Sequence, residues 1–196
     1  PISESRVDEA NARTEQMLQD ASDMELSVDG STLIVRVINQ SGHSLPTGYP
    51  EGRRMWINVK FFDDAGTMLR EDGGYDFVDA VLDDSSTKVY EKLMGMTPDV
   101  ASAVNLPPGK SLHLVLNNEI LKDNRIPPPG FTNAAYESFD GAPVGYTYAD
   151  DQHWDETLYD IPTAAVAAHV TVYYQTTSKE YIEYLRDNSP ENEEGP

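Results

Sequence analysis

The stretch that decides the fold is Met24–Asn39, MELSVDGSTLIVRVIN. Apolar and polar residues alternate along it, which places successive side chains on opposite faces, as in a half-buried β-strand. The dipeptide Asp29-Gly30 interrupts the alternation at its centre, and Asp-Gly between two alternating runs is a strong signal for a tight hairpin. We therefore predict two antiparallel strands joined at Asp29-Gly30.

The same kind of pattern continues on both sides of this hairpin. Residues 54–62, the turn 63–66 (Asp-Asp-Ala-Gly) and residues 67–70 predict a second strand–turn–strand unit. Further predicted strands cover residues 88–93, 111–117 and 166–175. Apolar residues at helical spacing predict an amphipathic helix over Ser5–Ser22 and a short C-terminal helix over Ser178–Asp187. Strands and turns with helices only at the ends indicate a mainly β protein, an antiparallel β-sandwich.

Residues 118–162 lack a clear period and combine prolines and glycines with many aromatic residues. This composition predicts a long ordered loop region, which is typical of a binding or partner-facing surface. We divide the chain into an N-terminal helix at 1–23, the β-sandwich domain at 24–187 and an acidic, disordered tail at 188–196.

The composition excludes several functions. The 196 residues include 34 acidic and 14 basic side chains, and the resulting net charge of -20 disfavours nucleic acid and anionic lipid as partners. There is no cysteine, so neither a disulfide nor the Cys-x-x-Cys-His attachment of covalent haem exists on this chain. No apolar run reaches the about 20 residues of a membrane span. The acidic, lysine-poor, cysteine-free composition favours an extracytoplasmic or saline setting.

Four blocks of sequence, in a fixed order, carry a family resemblance. They are NQSGHSLPTGYPEGRRMWINVKFFDDAG (39–66), KVYE (88–91), VLNNEILKDNRIPPPGF (115–131) and VTVYYQTTSKEYIEYL (170–185). Together they resemble the cysteine-free β-rich domain that follows the haem-binding part of many bacterial and archaeal multihaem c-type cytochromes. The resemblance implies a non-catalytic domain of an electron-transfer system that acts in assembly or docking. Its partner would be a multihaem c-type cytochrome domain or subunit.

A more distant resemblance is to the surface copper-binding proteins of methane-oxidising bacteria, which hold copper with two histidines and an oxidised tryptophan. They share a Trp-x-His element on the strand after a similar loop, and here that element is Trp56-Ile57-Asn58. The resemblance implies a copper site with Trp56, Asn58 and His113 as candidate ligands, because imidazoles suit copper. The alternative is that Trp56 anchors the core and His113 is an ordinary residue of the strand predicted at 111–117.

His43 and two arginines stand out in the loop of the first block. A neutral imidazole on a rigid backbone can ligate haem iron, so His43 is a candidate axial ligand to a partner haem. The alternative is that His43 hydrogen-bonds loop carbonyls and fixes the turn. Arg53 and Arg54 are predicted to clamp the loop by meeting carbonyls or a carboxylate, since buried guanidinium groups are paired. The candidate carboxylate partners are Glu51, Glu91 and Asp123.

Two aspartate-rich segments suggest calcium, which takes 6–8 oxygen ligands. The first comprises Asp150, Asp151, Asp155 and Asp160, and the second comprises Asp72, Asp76, Asp83 and Asp84. In a chain this acidic, the alternative is that these carboxylates are only solvated. No motif of a hydrolase, zinc protease or phosphate-binding loop is present. The aromatic residues of the long loop, Tyr148 and Trp154 among them, leave a carbohydrate-binding module as a further alternative.

Overall fold

The computed structural model describes residues 3–189. Within these residues there are four helices and eleven strands. The helices are α1 (Glu4–Asp20), α2 (Pro98–Val104), α3 (Asn133–Glu137) and α4 (Lys179–Asn188). The strands are β1 (Ser22–Asp29), β2 (Thr32–Asn39), β3 (Arg54–Phe62), β4 (Met68–Asp72), β5 (Tyr75–Asp76), β6 (Val81–Leu82), β7 (Val89–Met96), β8 (Gly109–Lys110), β9 (Glu119–Asp123), β10 (Trp154–Asp160) and β11 (Ala167–Gln175).

The predicted fold class is confirmed. The chain is mainly β, its sheets are antiparallel, it begins with a helix and it ends with a short one, consistent with a β-sandwich-like fold. The described residues divide into two compact units, the first made of 3–45, 126–141 and 148–161 and the second of the rest. The domain boundaries set at 23 and 187 stay predictions, and most of the predicted tail, residues 190–196, lies outside the described residues.

The first unit contains the sheet β1-β2-β10. The predicted hairpin is confirmed: β1 pairs with β2 from Ser22 opposite Asn39 to Asp29 opposite Thr32. Gly30 has a φ of +58°, a conformation that glycine adopts without a side-chain clash. Every second residue of β2 is buried, from Leu33 to Asn39. The period of two therefore decides which face of β2 packs into the core.

The long loop region predicted at 118–162 is broken by regular structure, so this prediction is wrong in part. It contains β9, α3 and β10, and β10 pairs along its whole length with β2. Arg36 on β2 joins the three strands, since its Nη2 lies 2.6 Å from Glu156 Oε1 and its Nη1 lies 3.1 Å from Glu25 Oε2. A strand whose partner is over a hundred residues away, and which carries three acidic residues, gives only a weak local signal.

Helix α1 forms close to its predicted position, although β1 starts at Ser22, where the prediction still had helix. None of its 17 residues is buried. Among residues 3–189, no helix combines the length and apolar character needed to cross a membrane.

The second unit contains the sheet β11-β3-β7-β8, with β4 also on β3 and β9 also on β7. Strand β3 is central, and five consecutive residues from Met55 to Val59 are buried, as expected for a strand covered on both faces. The predicted turn between β3 and β4 is confirmed, because the Asp63 carboxylate accepts from the backbone N–H groups of Ala65 and Thr67. The predicted strand at 166–175 is confirmed as β11.

The strand predicted at 111–117 is wrong. This segment is a turn in which the His113 carbonyl accepts from the N–H groups of Leu116 and Asn117. The Asn117 side chain donates to the Ser111 carbonyl at 3.0 Å and closes the loop. Asparagine and serine side chains form hydrogen bonds with nearby backbone groups in this way, and these bonds compete with strand pairing. The alternation of LHLVL predicts a strand because it does not reflect this competition. The predicted C-terminal helix is confirmed as α4, and the Ser178 hydroxyl accepts from Tyr181 N at its start.

Candidate functional site

The chain that follows β2 is held in place by the side chain of Asn39, which is fully buried. Its Nδ2 donates to the carbonyl oxygens of His43, Ile126 and Pro127 at 2.6, 2.9 and 3.0 Å. Its Oδ1 accepts from the backbone N–H and the hydroxyl of Ser41 at 2.8 and 2.7 Å. Both polar atoms of this buried amide are therefore satisfied, and they fix the backbone of the loop.

His43 contributes only its backbone to this loop. Its carbonyl accepts from the Asn39 amide, and its N–H donates to the Ser41 hydroxyl. The residue is exposed, and among residues 3–189 its imidazole makes no hydrogen bond. The Asn39 side chain, and not the His43 imidazole, therefore fixes this turn. The haem-ligand role stays a prediction, and the rigid backbone it requires is present.

Trp56 and Asn58 share one face of β3, and both donate to the carbonyl of Gly73. The Trp56 ring is buried, stacks on Tyr173 with 5.2 Å between centroids and packs on Tyr75 at 5.3 Å. The Asn58 amide also donates to Glu71 Oε1 at 2.8 Å. Trp56 is therefore a core residue, as the alternative interpretation expected. Both side chains donate their N–H groups to other groups of the protein.

His113 lies in a different aromatic group. Its Nδ1 is 2.5 Å from the Tyr184 hydroxyl, and the two rings meet edge to face. Both residues line a pocket of about 420 Å³, which Trp56 does not line. Among residues 3–189, no three His, Asp or Glu side chains form a group that could hold a metal ion. Copper at Trp56, Asn58 and His113 stays a prediction without an assembled ligand set.

The four carboxylates of the first aspartate segment differ in their burial and hydrogen bonding. Asp150 accepts from the backbone N–H and the side-chain amide of Asn133, and these two bonds lower the pKa of Asp150 below its ordinary value. Asp151 is exposed at a φ of +64°. Asp155 is buried on β10 and Asp160 is exposed five residues later, so the two carboxylates lie on opposite faces of the strand. Calcium at this set stays a prediction.

The second aspartate segment is engaged in local hydrogen bonds. The Asp72 carboxylate pairs with Arg70 at 2.9 Å. Asp76 accepts from the N–H groups of Asp79 and Val78, and these bonds lower the pKa of Asp76. The Ser85 and Ser86 hydroxyls donate to Asp83 and lower its pKa in the same way. These contacts are the local turn chemistry expected of Asp and Ser.

The aromatic residues named for a carbohydrate site are largely covered. Tyr148 is only 3% exposed. Trp154 is half-buried, with the Arg36 guanidinium 5.6 Å from its ring centroid and His153 against its edge. Neither ring presents the open face on which a sugar stacks, so the carbohydrate-binding alternative gains no support from this pair.

Arg53 clamps the loop as predicted, through a carbonyl. Its Nη1 donates to Thr47 O at 2.7 Å across Gly48, where an added Cβ would collide with the same nitrogen. Arg54 donates from Nε to Gln175 Oε1 at 2.8 Å and lies over the Trp56 ring.

The carboxylate partners predicted for these arginines are wrong. Asp123 pairs with Arg125 at 2.6 Å and lies 3.8 Å from Lys92. Glu91 on β7 pairs with Lys122 on the neighbouring strand β9 at 2.9 Å. Both carboxylates thus pair with basic residues close to them in sequence or across the sheet, which leaves Glu51 without an arginine.

Glu51 is the feature that sequence reasoning missed. It is 5% exposed, yet within residues 3–189 neither carboxylate oxygen has a hydrogen-bond partner. Arg53 Nε and Arg54 Nη2 are likewise buried without a partner. All three residues line one pocket of about 140 Å³. Native proteins rarely leave buried polar atoms unpaired, because each such atom lowers stability.

The walls of this Glu51 pocket come from five segments of the second unit: residues 50–54, Asp84, strand β7, residues 110–112 and the start of α4. Its lining includes four cationic residues, Arg53, Arg54, Lys92 and Lys110. It also includes four carboxylates, Glu51, Asp84, Glu91 and Glu180. The lining is therefore charge-balanced in a chain whose net charge is -20.

The charged groups of the pocket influence one another. Burial lowers the pKa of Lys92, and the charges of Asp123 and Glu51 oppose that shift. Burial of Glu180 opposes its ionisation, but its own backbone N–H, the Ser178 hydroxyl and the charges of Arg54 and Lys110 leave its pKa below the ordinary value. The pocket lining therefore holds interacting charges of both signs. In the sequence, the only signal was a run of charges between a proline and a buried strand, PEGRR.

No protein-family model and no curated protein sequence matches this chain. Among solved structures, it is similar to a penta-haem cytochrome c552 from Thermochromatium tepidum, with 16% sequence identity and a TM-score of 0.48. The match covers 89% of this chain and 37% of that cytochrome, so the chain spans little more than a third of its length. At this identity and TM-score, the similarity assigns neither a family nor a function.

Proposed function

We propose that this chain is a non-catalytic, extracytoplasmic domain that docks onto a multihaem c-type cytochrome domain or subunit of an electron-transfer system. The observation that carries the proposal is helix α1, which has 17 residues and buries none of them within residues 3–189. The class of partner rests on the resemblance of the four sequence blocks to the β-rich domain of multihaem cytochromes.

Helix α1 has the pattern of a helix that packs on a partner. Its apolar stripe, which continues into Ala21, recurs at alternating spacings of three and four residues through Val7, Ala10, Thr14, Met17 and Ala21. This spacing is the seam of a packed helix pair. Val7 is 45% exposed and Met17 62% exposed. Because most helical stability in proteins comes from packing an amphipathic face, a partner on this stripe would stabilise α1.

His43 supports the same partner by a separate route. Its imidazole is exposed, and Asn39 fixes the backbone that carries it. An exposed imidazole on a fixed backbone is what an axial haem ligand requires. The proposal assigns His43 to a haem of the partner, since the chain has no cysteine to attach a haem of its own.

The docking proposal is tested by capture. The tagged chain is incubated with the extracytoplasmic fraction of its source cells, and covalent haem is detected in captured proteins after denaturing electrophoresis. We expect a haem-bearing protein with the wild type and with Gln19→Glu, and its loss with Met17→Glu. Both variants add one charge to α1, but only Met17 lies on the apolar stripe. Capture of no haem protein, or equal capture by both variants, would contradict the proposal.

The role of His43 is tested with a c-type haem peptide that has one open axial position. Titration with the wild type should shift the haem absorption to that of a six-coordinate, low-spin iron. His43→Ala should abolish the saturable shift, whereas His169→Ala should retain it, because His169 is an exposed imidazole on strand β11. An unchanged titration curve for His43→Ala would remove the haem-ligand role and leave the α1 docking test unaffected.

A further inference from the structure

Strand β1 forms an open edge of the sheet in the first unit. Within residues 3–189 it pairs only with β2, and the pairing runs along all eight of its residues without a break in register. The five residues from Glu25 to Asp29 are all exposed. An edge strand of this length is a template on which another strand can pair.

The register of β1 shows which of its backbone groups lie at the open edge. The Gln40 N–H donates to the Ala21 carbonyl at 2.9 Å, so Ala21 and every second residue after it bond to β2. The N–H and C=O groups of Met24, Leu26 and Val28 therefore point away from β2. The Met24 N–H donates to the side chain of the preceding aspartate at 2.8 Å, as expected for an N–H that has no strand beside it. The backbone groups of Leu26 and Val28 are placed to bond to an added strand.

One face of β1 is apolar and open where the same face of β2 is buried. Residues directly opposite each other share a face, and three apolar residues of β1 lie opposite buried residues of β2. These pairs are Met24 with Val37, Leu26 with Val35 and Val28 with Leu33. The β2 side chains are at most 5% exposed, whereas Leu26 is 48% exposed and Val28 63%. The core of the first unit therefore ends at β2, and an added strand would extend it over β1.

The other edge of the sheet, β10, differs in this respect. Its residues on the core face include Asp155 and Tyr159, which lie opposite Val37 and Leu33 and are 1% and 5% exposed. The core face is thus covered at β10 and uncovered at β1. Of the two edges, β1 is the one where further pairing would bury apolar surface that is now exposed.

The opposite face of β1 selects the class of strand that can pair. It carries three acidic residues, Asp23, Glu25 and Asp29. Edge strands are commonly protected by proline, lysine or a bulge, and residues 22–29 include no proline, lysine or break in register. Like charges directly opposite each other destabilise a strand pair. The acidic residues therefore exclude acidic strands and favour basic ones.

A second copy of this chain does not fit the edge. Consider β1 paired with itself around a two-fold axis, in a register centred on any residue from Met24 to Ser27. In each of these registers, Asp23 or Glu25 lies directly opposite an acidic residue of the other copy. The net charge of -20 on each chain adds a long-range repulsion.

We infer that the β1 edge binds an extended basic segment of a partner protein as an additional strand of the sheet. The segment alternates apolar side chains, which pack beside Leu26 and Val28, with lysine or arginine side chains, which lie beside the acidic residues of β1. Its backbone bonds to the outward groups of Leu26 and Val28, as in other cases of strand addition. The edge includes neither α1 nor His43, so this inference stands or falls separately from the proposed docking function.

Calorimetric titration with a synthetic peptide tests the inference. The peptide is as long as β1 and alternates valine with lysine, and we expect saturable binding with a Kd of about 100 μM or tighter. A peptide with glutamate in place of lysine should not bind. A lysine-valine peptide with methylated backbone nitrogens keeps the charge but cannot donate to a strand, so it should bind at least about tenfold more weakly. Absence of saturable binding, or equal binding of the methylated peptide, would overturn the inference.

A pair of proline variants locates the site. Leu26→Pro removes an N–H at the open edge without removing a bond to β2, and it should weaken peptide binding by at least about tenfold. Leu158→Pro makes the same change on β10, where the bond from the Asn39 N–H to the His153 carbonyl shows that the Leu158 N–H also points away from β2. It should leave binding unchanged. Weaker binding in Leu158→Pro with unchanged binding in Leu26→Pro would place the site at β10 and contradict the inference.

A pair of charge variants tests the same edge if Leu26→Pro fails to fold. Glu25 on β1 and Glu156 on β10 both pair with Arg36, at 3.1 and 2.6 Å. Glu25→Lys and Glu156→Lys therefore change the net charge equally and disturb the same arginine. Glu25→Lys should weaken binding of the lysine-valine peptide by at least about tenfold, and Glu156→Lys by less than about twofold. Equal effects would show a general attraction of the peptide to an acidic protein and would overturn the inference.

Discussion

Asn39 and Glu51 are two buried polar side chains, twelve positions apart in sequence, with opposite surroundings. Asn39 lies in the first unit, and both of its side-chain polar atoms are hydrogen-bonded, to five backbone and side-chain groups. Glu51 lies in the second unit, and neither of its oxygens has a partner within residues 3–189. Both residues are buried, and they differ in whether their side-chain polar atoms form hydrogen bonds.

The contrast divides the first of the four sequence blocks, NQSGHSLPTGYPEGRRMWINVKFFDDAG (39–66), into parts. A buried amide with every hydrogen bond made holds a loop in one conformation and contributes to stability. A buried carboxylate with none made lowers stability. The portion around Asn39 therefore stabilises the fold, whereas Glu51 does not.

The largest expected effect is that of Asn39→Ala. The substitution leaves the Pro127 carbonyl buried without its donor and removes the hydrogen bonds from Asn39 to Ile126, His43 and Ser41, so the free energy of unfolding should fall by about 3 kcal/mol. Urea denaturation measures it. The control is Asn11→Ala on the exposed face of α1, which should change stability by less than about 0.5 kcal/mol. A fall of similar size in both variants would contradict the clamp role of Asn39.

Gly52→Ala should have the next largest effect. The added Cβ strains a φ of +71° and collides with the start of α4, so we expect a loss of about 2 to 3 kcal/mol. Gly66→Ala is the matched control, since Gly66 has a φ of +79° with nothing within 4 Å of the added atom. It should lose only about 1 kcal/mol, from backbone strain alone. Equal losses would mean that the loop at Gly52 does not pack closely on the start of α4.

Glu51→Gln should act in the opposite direction to Asn39→Ala. It removes a buried carboxylate that accepts no hydrogen bond within residues 3–189, so the free energy of unfolding should rise by about 1 kcal/mol. Glu119→Gln, which removes an exposed carboxylate, should change it by less than about 0.5 kcal/mol. Thermal unfolding measures both variants.

The smallest effect belongs to Asp150→Asn, a polar group that is well bonded but exposed. The pKa of Asp150 is lowered in the folded state, so its stabilising contribution is present above the ordinary value near 3.8. The contribution is lost as the pH falls through the lowered folded value. The stability difference between wild type and variant should therefore be present at neutral pH and vanish at strongly acidic pH. A difference that persists at low pH would show that the Asn133 contacts do not act through the carboxylate charge.

Local signals predicted much of the fold. The dipeptide Asp29-Gly30 and the turn at 63–66 carry their geometry in their own sequence, and both hairpins were located from it. Residues 111–117 alternate like a strand, but Asn117 bonds to the Ser111 carbonyl and makes a turn. Strand β10 was missed, because its pairing with β2 depends on a segment far away in the chain.

The candidate sites were harder to predict, because burial and pairing are long-range properties. Glu51 was expected to pair with an arginine, since charges of opposite sign stand next to each other in PEGRR. In the folded chain Arg53 donates to the Thr47 carbonyl and Arg54 donates to Gln175. Neither arginine therefore pairs with Glu51, its neighbour in the sequence. His43 was identified from its loop, whereas the residue that fixes this loop, Asn39, gave no signal beyond its place at the end of a strand.

The central claim is that the hydrogen bonds of a buried polar side chain, and not its burial, decide whether it stabilises this fold. The most direct test is the free energy of unfolding of the wild type, Asn39→Ala and Glu51→Gln, measured by urea denaturation. We predict that Asn39→Ala is less stable than the wild type and that Glu51→Gln is more stable. A Glu51→Gln variant that is destabilised as much as Asn39→Ala would contradict the claim.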